Sequence, residues 1–303
     1  MPIVKAATPA QLGYMFNEYD TLFKSQYQSY DPMYQKFAIS VSSKSDVMVY
    51  PWLDTLVGMR EFVGPRYHQD MKAIGYTMTN QEWELTVDMF RKDIDDDNLG
   101  LYENRIMQAA AVSAAKPDQE FISLLSNAWT KTCYDGVAFY GTHTWKGTTF
   151  TNDLGGLVLS ADNFQKAVET LMLQVGQFGA NNEAPLMSGQ VNLLLVHGPK
   201  TRAAALQITK ADYGNFGATN INAGAAEDLL WPAITDNSWH LFVTNNALKP
   251  LIFQDRVPLE TTYVTDPANP YVAEHKAYPY YVYRRFTTGY GLWQLAAGSY
   301  VAA

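Results

Sequence analysis

Residues 93–129 read DIDDDNLGLYENRIMQAAAVSAAKPDQEFISLLSNAW and contain two successive helical patterns. The acidic run at 93–98 offers side-chain acceptors that can cap a helix N-terminus, and its charge suits the positive end of the helix dipole. A helix over 98–115, about 27 Å long at roughly 1.5 Å per residue, is predicted to follow. Pro117 lacks a backbone N–H, so it is expected to end this helix and to start a second one. One face of each predicted helix carries these residues: Leu99, Tyr102, Ile106, Ala109 and Ser113 on the first, and Phe121, Leu124, Leu125, Ala128 and Trp129 on the second.

The chain before these helices has two different compositions. Residues 1–46 are rich in Tyr, Gln, Ser and Lys and show no sustained apolar period, which favours an arm over a domain. Residues 47–90 combine aromatic and β-branched residues with Pro and Gly, a pattern typical of extended strands and turns.

The chain after the helices first forms a compact mixed unit over 155–248. Ser160 can cap a helix whose apolar positions keep the helical period, and strands are predicted over 191–196 and 239–244. A short helix over 199–209 lies between the strands, and a loop rich in Gly, Ala and Asn follows it at 210–228. A loop of that length is uncommon in a compact domain unless it is functional or mobile.

The final segment, 249–303, is rich in β-strand signals. Strands are predicted over 250–256, 280–286 and 292–299, and the sequence TTGYG at 287–291 is expected to join the last two.

Composition excludes several classes of protein. The 303 residues carry a net charge of −8, which opposes broad binding of phosphate backbones. Cys133 is the single cysteine, no signal peptide pattern begins the chain, and the longest apolar run, 193–196, is too short to span a membrane, so a cytosolic location is predicted. Aromatic residues make up 14% of the chain and are favoured at protein interfaces, so extensive contact with other protein is expected.

Cys133 and His143 are the strongest enzymatic candidates, because a thiol nucleophile needs a nearby base. Their spacing has no specificity, however. A lone cysteine is more often a small buried apolar residue, and this structural interpretation is favoured.

The acidic residues Asp93, Asp95 and Asp97 imitate the start of a calcium-binding loop. Asn98 stands where that loop needs a glycine, and Asn104 stands where it needs a bidentate glutamate. A helix-capping run is therefore favoured, with a weak surface cation site as the alternative.

The sequence matches no other known motif of a metal or nucleotide site. The five histidines show no zinc-ligand spacing, and the glycines at 289–291 and the segment 197–201 lack the remaining residues of nucleotide-binding loops. The arginines Arg60, Arg66, Arg91, Arg284 and Arg285 alternate with acidic residues, so ion pairs between subunits are expected rather than a phosphate site. These failures, together with the abundant aromatic residues and long extended segments, indicate an assembly protein.

Three blocks of short motifs follow one another along the chain. The first has YPWL at 50–53, REFVG at 60–64, GY at 75–76, ELTV at 84–87 and DDNLG at 96–100. The second has PD at 117–118, LL at 124–125, CYDG at 133–136, FY at 139–140 and His143. The third has KPLIFQ at 249–254, Arg256, RR at 284–285 and GYGLWQ at 289–294. In this order the blocks resemble the major head protein of Mu-like phages, the gpT family.

The resemblance implies an α+β protein with the Hong Kong 97-type capsid fold. Its parts would be an N-terminal arm (1–46), an extended hairpin loop (47–90), a peripheral domain with a spine helix (91–154), an axial domain (155–248) and closing strands of the peripheral domain (249–303). In such a family Cys133 and His143 belong to the pattern of the fold and not to a catalytic site. The implied function is the major capsid protein of a tailed phage, which self-assembles as hexamers and pentamers into an icosahedral head around double-stranded DNA.

No catalytic, cofactor or metal site is predicted. The functional residues are instead expected to be those that contact neighbouring subunits. Candidate subunit-interface residues are Tyr50, Trp52, Arg60, Glu61, Phe62, Arg66, Tyr76, Trp83, Glu84, Arg284 and Arg285. The resemblance implies a place in the virion, assembly in the host cytoplasm, and partners that include a separate scaffolding protein, a portal and decoration proteins. Contact with packaged DNA would be weak and non-specific, and no membrane would be involved.

Two alternatives stay open at this point. One is an encapsulin-like shell protein that encloses protein cargo, which would share the fold. The other is a cysteine hydrolase that uses Cys133 and His143.

Overall fold

The computed structural model describes residues 8–50, 76–96, 100–145, 147–176, 190–213, 218–244 and 249–302. Its α-helices are α1 (Pro9–Gln28), α2 (Arg91–Asp95), α3 (Gly100–Ser126), α4 (Ala161–Gly176), α5 (Arg202–Thr209) and α6 (Pro270–His275). Its strands are β1 (Ala38–Ser42), β2 (Val47–Val49), β3 (Thr77–Thr79), β4 (Gln81–Phe90), β5 (Thr142–Trp145), β6 (Thr148–Thr151), β7 (Leu193–His197), β8 (Ala226–Leu230), β9 (Trp239–Val243), β10 (Leu251–Tyr263), β11 (Ala277–Tyr290) and β12 (Ala296–Ser299). None of the helices in these ranges has the length and apolar character that a membrane crossing needs.

The first four-stranded sheet has the order β1-β10-β11-β4. β1 and β10 pair in parallel, whereas β11 pairs antiparallel with β10 on one side and with β4 on the other. Helices α1 and α3 pack against each other, and α3 also contacts β11. The apolar core between them includes Phe16, Phe23, Ile106 and Tyr280, each fully buried.

The second four-stranded sheet has the order β12-β9-β7-β8. All residues of β7, β9 and β12 are buried, and α4 and α5 pack against this sheet. The helix predicted after Ser160 is confirmed as α4, and the backbone N–H of Asn163 donates a hydrogen bond to the Ser160 hydroxyl at 3.3 Å.

The closing segment contributes strands to both sheets. The turn predicted at 287–291 between its last two strands is therefore wrong. Residues 287–290 continue β11, where Thr287 and Thr288 pair with Gln254 and Phe253 of β10. β12 instead pairs with β9 of the second sheet. The extra backbone pairing along β10 keeps these residues extended, although their sequence is typical of a turn.

The predicted break at Pro117 is also wrong, because α3 is one helix of 27 residues that contains Pro117. An internal proline costs a helix roughly 3 kcal/mol. The next residue, Asp118, is buried and accepts hydrogen bonds from the Tyr30 hydroxyl at 2.6 Å and from the backbone N–H groups of Met33 at 3.1 Å and Tyr34 at 2.9 Å. These contacts and the burial of the helix face offset the cost of the proline.

α1 lies in a segment where the sequence analysis finds no helical period. Its buried residues are Leu12, Phe16, Tyr19 and Phe23, which are spaced by three and four positions. Thr8 begins the helix with a capping box, in which its hydroxyl accepts from the N–H of Gln11 and the Gln11 side chain accepts from the N–H of Thr8. Tertiary burial of this stripe, rather than local propensity, makes the segment helical.

The described part of the loop at 210–228 is held by one asparagine. The amide nitrogen of Asn220 donates to the carbonyl oxygens of Gln207 at 3.0 Å, Ile208 at 2.9 Å and Ala211 at 2.8 Å. The loop ends where β8 begins, at Ala226.

Candidate functional site

The base of a hairpin is the first element of the candidate assembly surface. β2 and β3 pair antiparallel, so the two ends of the segment 51–75 lie side by side. β4 then pairs with β11 rather than with β2, so the hairpin pairing stops at Thr79.

Two tyrosines fix this base to the first sheet. The N–H of Tyr50 donates to the carbonyl of Tyr76 at 3.2 Å, and the Tyr50 hydroxyl donates to Gln254 Oε1 at 2.6 Å. The N–H of Tyr290 donates to the Tyr76 hydroxyl at 3.0 Å. Burial raises the pKa of each of Tyr50 and Tyr76 to about 12, so both phenols stay protonated. Tyr50 is only 1% exposed and therefore contributes to the core of its own subunit.

A glycine allows the hairpin to lie close to β11. A Cβ atom at Gly289 would lie 2.5 Å from the sulfur of Met78 on β3. Beneath the hairpin, Gln254 Nε2 donates to Asn80 Oδ1 at 2.7 Å, and Asn80 Nδ2 donates to the carbonyls of Ser45 and Asp46, each at 3.0 Å. The hairpin base is thus positioned by close packing and by buried polar groups.

Trp83 and Glu84 lie on β4 with different environments. Trp83 is half-buried, its indole N–H donates to the carbonyl of Phe286 at 3.3 Å, and Lys116 Nζ lies 3.9 Å from the centre of its ring. Glu84 is exposed, and its carboxylate accepts a hydrogen bond from the Thr86 hydroxyl at 3.3 Å. Glu84 therefore offers a charge on the outer surface, whereas Trp83 is anchored by its own chain.

The two neighbouring arginines of β11 both pair inside the subunit. The Arg284 side chain is 11% exposed, lies 3.3 Å from Asp255 Oδ2 and donates to the Tyr27 hydroxyl at 3.0 Å. Arg285 Nη2 lies 2.8 Å from Asp46 Oδ1, and its Nε lies 3.4 Å from Glu82 Oε1. The ion pairs of these two residues, which were expected between subunits, form instead within the chain, where Arg285 links the hairpin base to β4.

A groove of about 510 Å³ runs between β4 and α3, lined by Leu85, Phe90, Arg105 and Val112 among others. Phe90 is 43% and Val112 is 45% exposed. Apolar side chains left uncovered beside one another are typical of surfaces that contact another protein.

Five interface candidates lie outside the described residues: Trp52, Arg60, Glu61, Phe62 and Arg66. They all belong to the segment whose ends form the hairpin base.

Cys133, Asp135 and His143 come together in the loop between α3 and β5. The Cys133 thiol donates to Asp135 Oδ1 at 3.1 Å, and His143 Nδ1 lies 2.6 Å from Asp135 Oδ2. Burial, with the Asp135 carboxylate beside it, raises the pKa of the Cys133 thiol well above its ordinary value. His143 pairs with Asp135 and not with the thiol, and burial favours the neutral thiol. The cluster therefore does not produce the thiolate that a cysteine nucleophile needs.

The acidic run is only partly described. The Tyr102 hydroxyl donates to Asp93 Oδ2 at 2.6 Å, and Asp95 Oδ2 lies 3.6 Å from Arg91 Nε. Asp97 and Asn98 lie outside the described residues. Asp93 and Asp95 are thus engaged with side chains of their own chain.

Asp118 holds the segment after α1 against the middle of α3, a role that was not predicted from the sequence. Its three hydrogen bonds join residues more than 80 positions apart in the chain. The signal available in the sequence was an aspartate directly after an internal proline, at the start of the second predicted helix.

The architecture matches solved capsid subunits. It is similar to the subunit in the procapsid of bacteriophage JBD30, with a TM-score of 0.61 and 24% identity over 98% of this chain and 77% of that one. The fold is therefore that of a phage capsid protein of the Hong Kong 97 type, as the sequence analysis predicts.

Sequence comparison identifies the family. The pattern of the Mu-like prophage major head subunit gpT family matches residues 12–156 and 231–302, and the chain belongs to this family. It is 33% identical to the major capsid protein of Escherichia phage Mu over 133 residues, which are 44% of each chain. It is 23% identical to the Mu-like prophage FluMu major head subunit of Haemophilus influenzae over 95% of this chain and 73% of that protein. The aligned part thus spans less than half the length of the Mu protein.

Proposed function

We propose that this chain is the major capsid protein of a Mu-like tailed phage, and that identical copies assemble as hexamers and pentamers into an icosahedral head around double-stranded DNA. The observation that carries this proposal is the family match, which includes strands of both sheets as well as the hairpin and α3. Membership of a head-subunit family favours a phage head over a shell for protein cargo.

The hairpin and the outer side of β4 and α3 are the proposed contact surfaces. The hairpin has little core of its own, since Val47 and Val49 of β2 are 45% and 48% exposed. Burial of such side chains against a neighbouring copy would stabilise them by roughly 25 cal/mol for each Å² of apolar surface removed from water. Burial of β2 against a neighbouring copy and assembly of the shell are therefore coupled.

The interface residues we propose are Trp52, Arg60, Glu61, Phe62 and Arg66 in the hairpin segment, with Tyr76, Trp83 and Glu84 next to it. Tyr50, Arg284 and Arg285 support the base from within the subunit, as their hydrogen bonds and ion pairs indicate. Subunits in hexamers and pentamers meet slightly different neighbours, so contacts made by an extended hairpin suit them better than a single rigid interface.

A structural role rather than an enzymatic one is proposed for the whole chain. The Cys133 thiol is buried and donates a hydrogen bond to Asp135. The Asp135 carboxylate lies between the thiol and the imidazole and contacts both. Cys133 and His143 therefore stabilise the loop after α3.

The further partners we propose are a separate scaffolding protein, a portal and decoration proteins. The net charge of −8 supports a weak, non-specific contact with packaged DNA, because a shell that neutralised many phosphates would resist DNA release. The assembled head is the location of the chain in the virion, and we propose that assembly takes place in the host cytoplasm.

Negative-stain electron microscopy of the purified chain, together with light scattering, tests the proposal. Closed shells, tubes or rings of subunits are expected, alone or after addition of a scaffolding protein. The double variant Trp52→Ala, Phe62→Ala should reduce the yield of particles, whereas the control Tyr14→Ala, on the exposed side of α1, should not. A chain that stays monomeric with every scaffold tried would contradict the proposal.

A further inference from the structure

The loop between α3 and β5 brings a thiol, a carboxylate and an imidazole to one point. One ligand atom from each of Cys133, Asp135 and His143 lies within 4.8 Å of the other two. Cys133 and Asp135 belong to a tight turn, in which the N–H of Cys133 donates to the carbonyl of Val137 at 2.8 Å. His143 comes from the start of β5.

The ring of His143 is held in a fixed orientation. It is fully buried and stacks on Trp293, with ring centres 4.1 Å apart and an interplanar angle of 6°. Nε2 lies 3.3 Å from the carbonyl oxygen of Phe139, and Nδ1 lies 2.6 Å from Asp135 Oδ2. Both ring nitrogens therefore face oxygen acceptors.

A neutral imidazole has one N–H, so it can donate to only one of these two oxygens. If Nε2 donates to the Phe139 carbonyl, the lone pair of Nδ1 faces the Asp135 carboxylate and can bind a metal ion placed between them. A histidine that donates one N–H to a backbone carbonyl while its other nitrogen binds a metal is the usual arrangement of protein metal sites.

The three side chains form a donor set that suits zinc. Zn²⁺ binds thiolate, imidazole and carboxylate in tetrahedral sites, with Zn–N and Zn–S distances of about 2.0 and 2.3 Å, which set the ligand atoms roughly 3.5 Å apart. The present separations of 2.6 Å and 3.1 Å from the two Asp135 oxygens are those of hydrogen bonds, so the side chains must move apart by roughly 0.4–0.9 Å to admit the ion. The Asp135 side chain is 21% exposed, which gives solvent access to the cluster and room for a water as fourth ligand.

We propose that Cys133, Asp135 and His143 form a zinc-binding site that fastens the loop after α3. Binding of Zn²⁺ converts the Cys133 thiol to a thiolate, whose proton passes to solvent, while His143 keeps its single N–H on Nε2 toward the Phe139 carbonyl and binds the ion through Nδ1. Because His143 stacks on Trp293, the ion would tie this loop to the segment that joins the two sheets.

The test uses the full-length chain, stripped of metal by a chelator and kept reduced. Zn²⁺ is added in slight excess, unbound ion is removed by gel filtration, and the metal content is measured. One zinc per chain is expected, with release of protons that a dye reports in weak buffer. Co²⁺ in place of zinc should give a thiolate-to-cobalt charge-transfer band and the visible bands of tetrahedral cobalt.

Variants separate this site from other binding. Cys133→Ser should abolish the charge-transfer band and weaken zinc binding at least roughly tenfold, since even loss of an outer partner of a metal ligand costs about that much. Asp135→Asn should keep the band but weaken binding. The control is His197→Gln, because His197 is a buried histidine 2.8 Å from Asp228 with no cysteine beside it. This control should still bind one zinc.

Three results would overturn the proposal. They are no retained zinc and no cobalt charge-transfer band in the unaltered chain, equal zinc binding by the unaltered chain and Cys133→Ser, or loss of the zinc in His197→Gln. The cobalt spectrum of the unaltered chain decides the matter even if a variant fails to fold. Because the readout is metal binding, the test does not depend on whether particles assemble.

Discussion

The two sheets of the molecule differ in how completely their own chain covers them. Every residue of β7 and β9 in the second sheet is buried. In β4 of the first sheet, half of the residues are exposed and only Val87 and Met89 are buried, and the outer half of β10 alternates between exposed and partly buried residues. The second sheet is therefore stabilised within the subunit, whereas the edge of the first sheet and the β2–β3 hairpin leave surface for a neighbour. On the proposed function, this difference separates the part of the chain that folds from the part that assembles.

The largest effect should come from emptying the core of the second sheet. Phe242 on β9 is fully buried, so Phe242→Ala should lower the free energy of unfolding by about 3–5 kcal/mol. The matched change Phe90→Ala, at a residue of β4 that is 43% exposed, should cost far less. Urea unfolding of the dispersed subunit measures both, and equal losses would remove the distinction between the two sheets.

Acid should weaken the second sheet through His240. Burial lowers the pKa of His240 from 6.5 to about 4, and the Tyr140 hydroxyl lies 3.0 Å from its Nδ1. The unfolded chain thus takes up this proton at a higher pH than the folded chain. The contribution of His240 to the free energy of unfolding is complete above pH 6.5 and is lost as the pH falls to about 4. This contribution is at most about 3 kcal/mol.

Urea midpoints measured between pH 7 and pH 4 test this dependence. The double variant Tyr140→Phe, His240→Phe should lose most of the slope in this range, and His275→Gln, at an exposed histidine of α6, should keep it. An unchanged slope in the double variant would show that another group carries the acid sensitivity.

A smaller loss is expected where the arm segment meets α3. In Asp118→Asn an amide N–H₂ would face groups that now donate to the carboxylate, and an unpaired buried donor costs about 1–3 kcal/mol. Asp31→Asn, one residue from Tyr30 and exposed, is the control. If both variants unfold at the same urea concentration, the hydrogen bonds of Asp118 do not hold this segment.

The smallest effect on stability should accompany a clear effect on assembly. Glu84 is exposed on β4, so Glu84→Lys should change the free energy of unfolding by no more than about 0.5 kcal/mol. If the outer side of β4 faces a neighbouring copy, particle yield should fall, whereas Glu274→Lys on α6 should assemble normally. Normal assembly of both variants would exclude this part of β4 from the contact.

Local patterns predict α4, β7 and β9 well, because a continuous apolar run or a helical spacing of apolar residues can be recognised in a short window of sequence. The mistakes have tertiary causes. α3 continues through Pro117 because Asp118 is held by residues more than 80 positions away. Residues 287–290 stay extended because β10 lies beside them. The fold and family follow from the order of motifs along the chain, but the pairing of Arg284 and Arg285 within the subunit could not be predicted, because it depends on which strands become neighbours.

Hydrogen–deuterium exchange on dispersed subunits and on assembled particles tests most directly whether folding and assembly use different parts of the chain. Amides of β7 and β9 should be protected to the same degree in both states. Amides of β2 and β3 and of the segment between them should be less protected than those of β7 and β9 in dispersed subunits and should gain protection in particles. Equal protection of the hairpin in both states, or a gain confined to β7 and β9, would contradict the account.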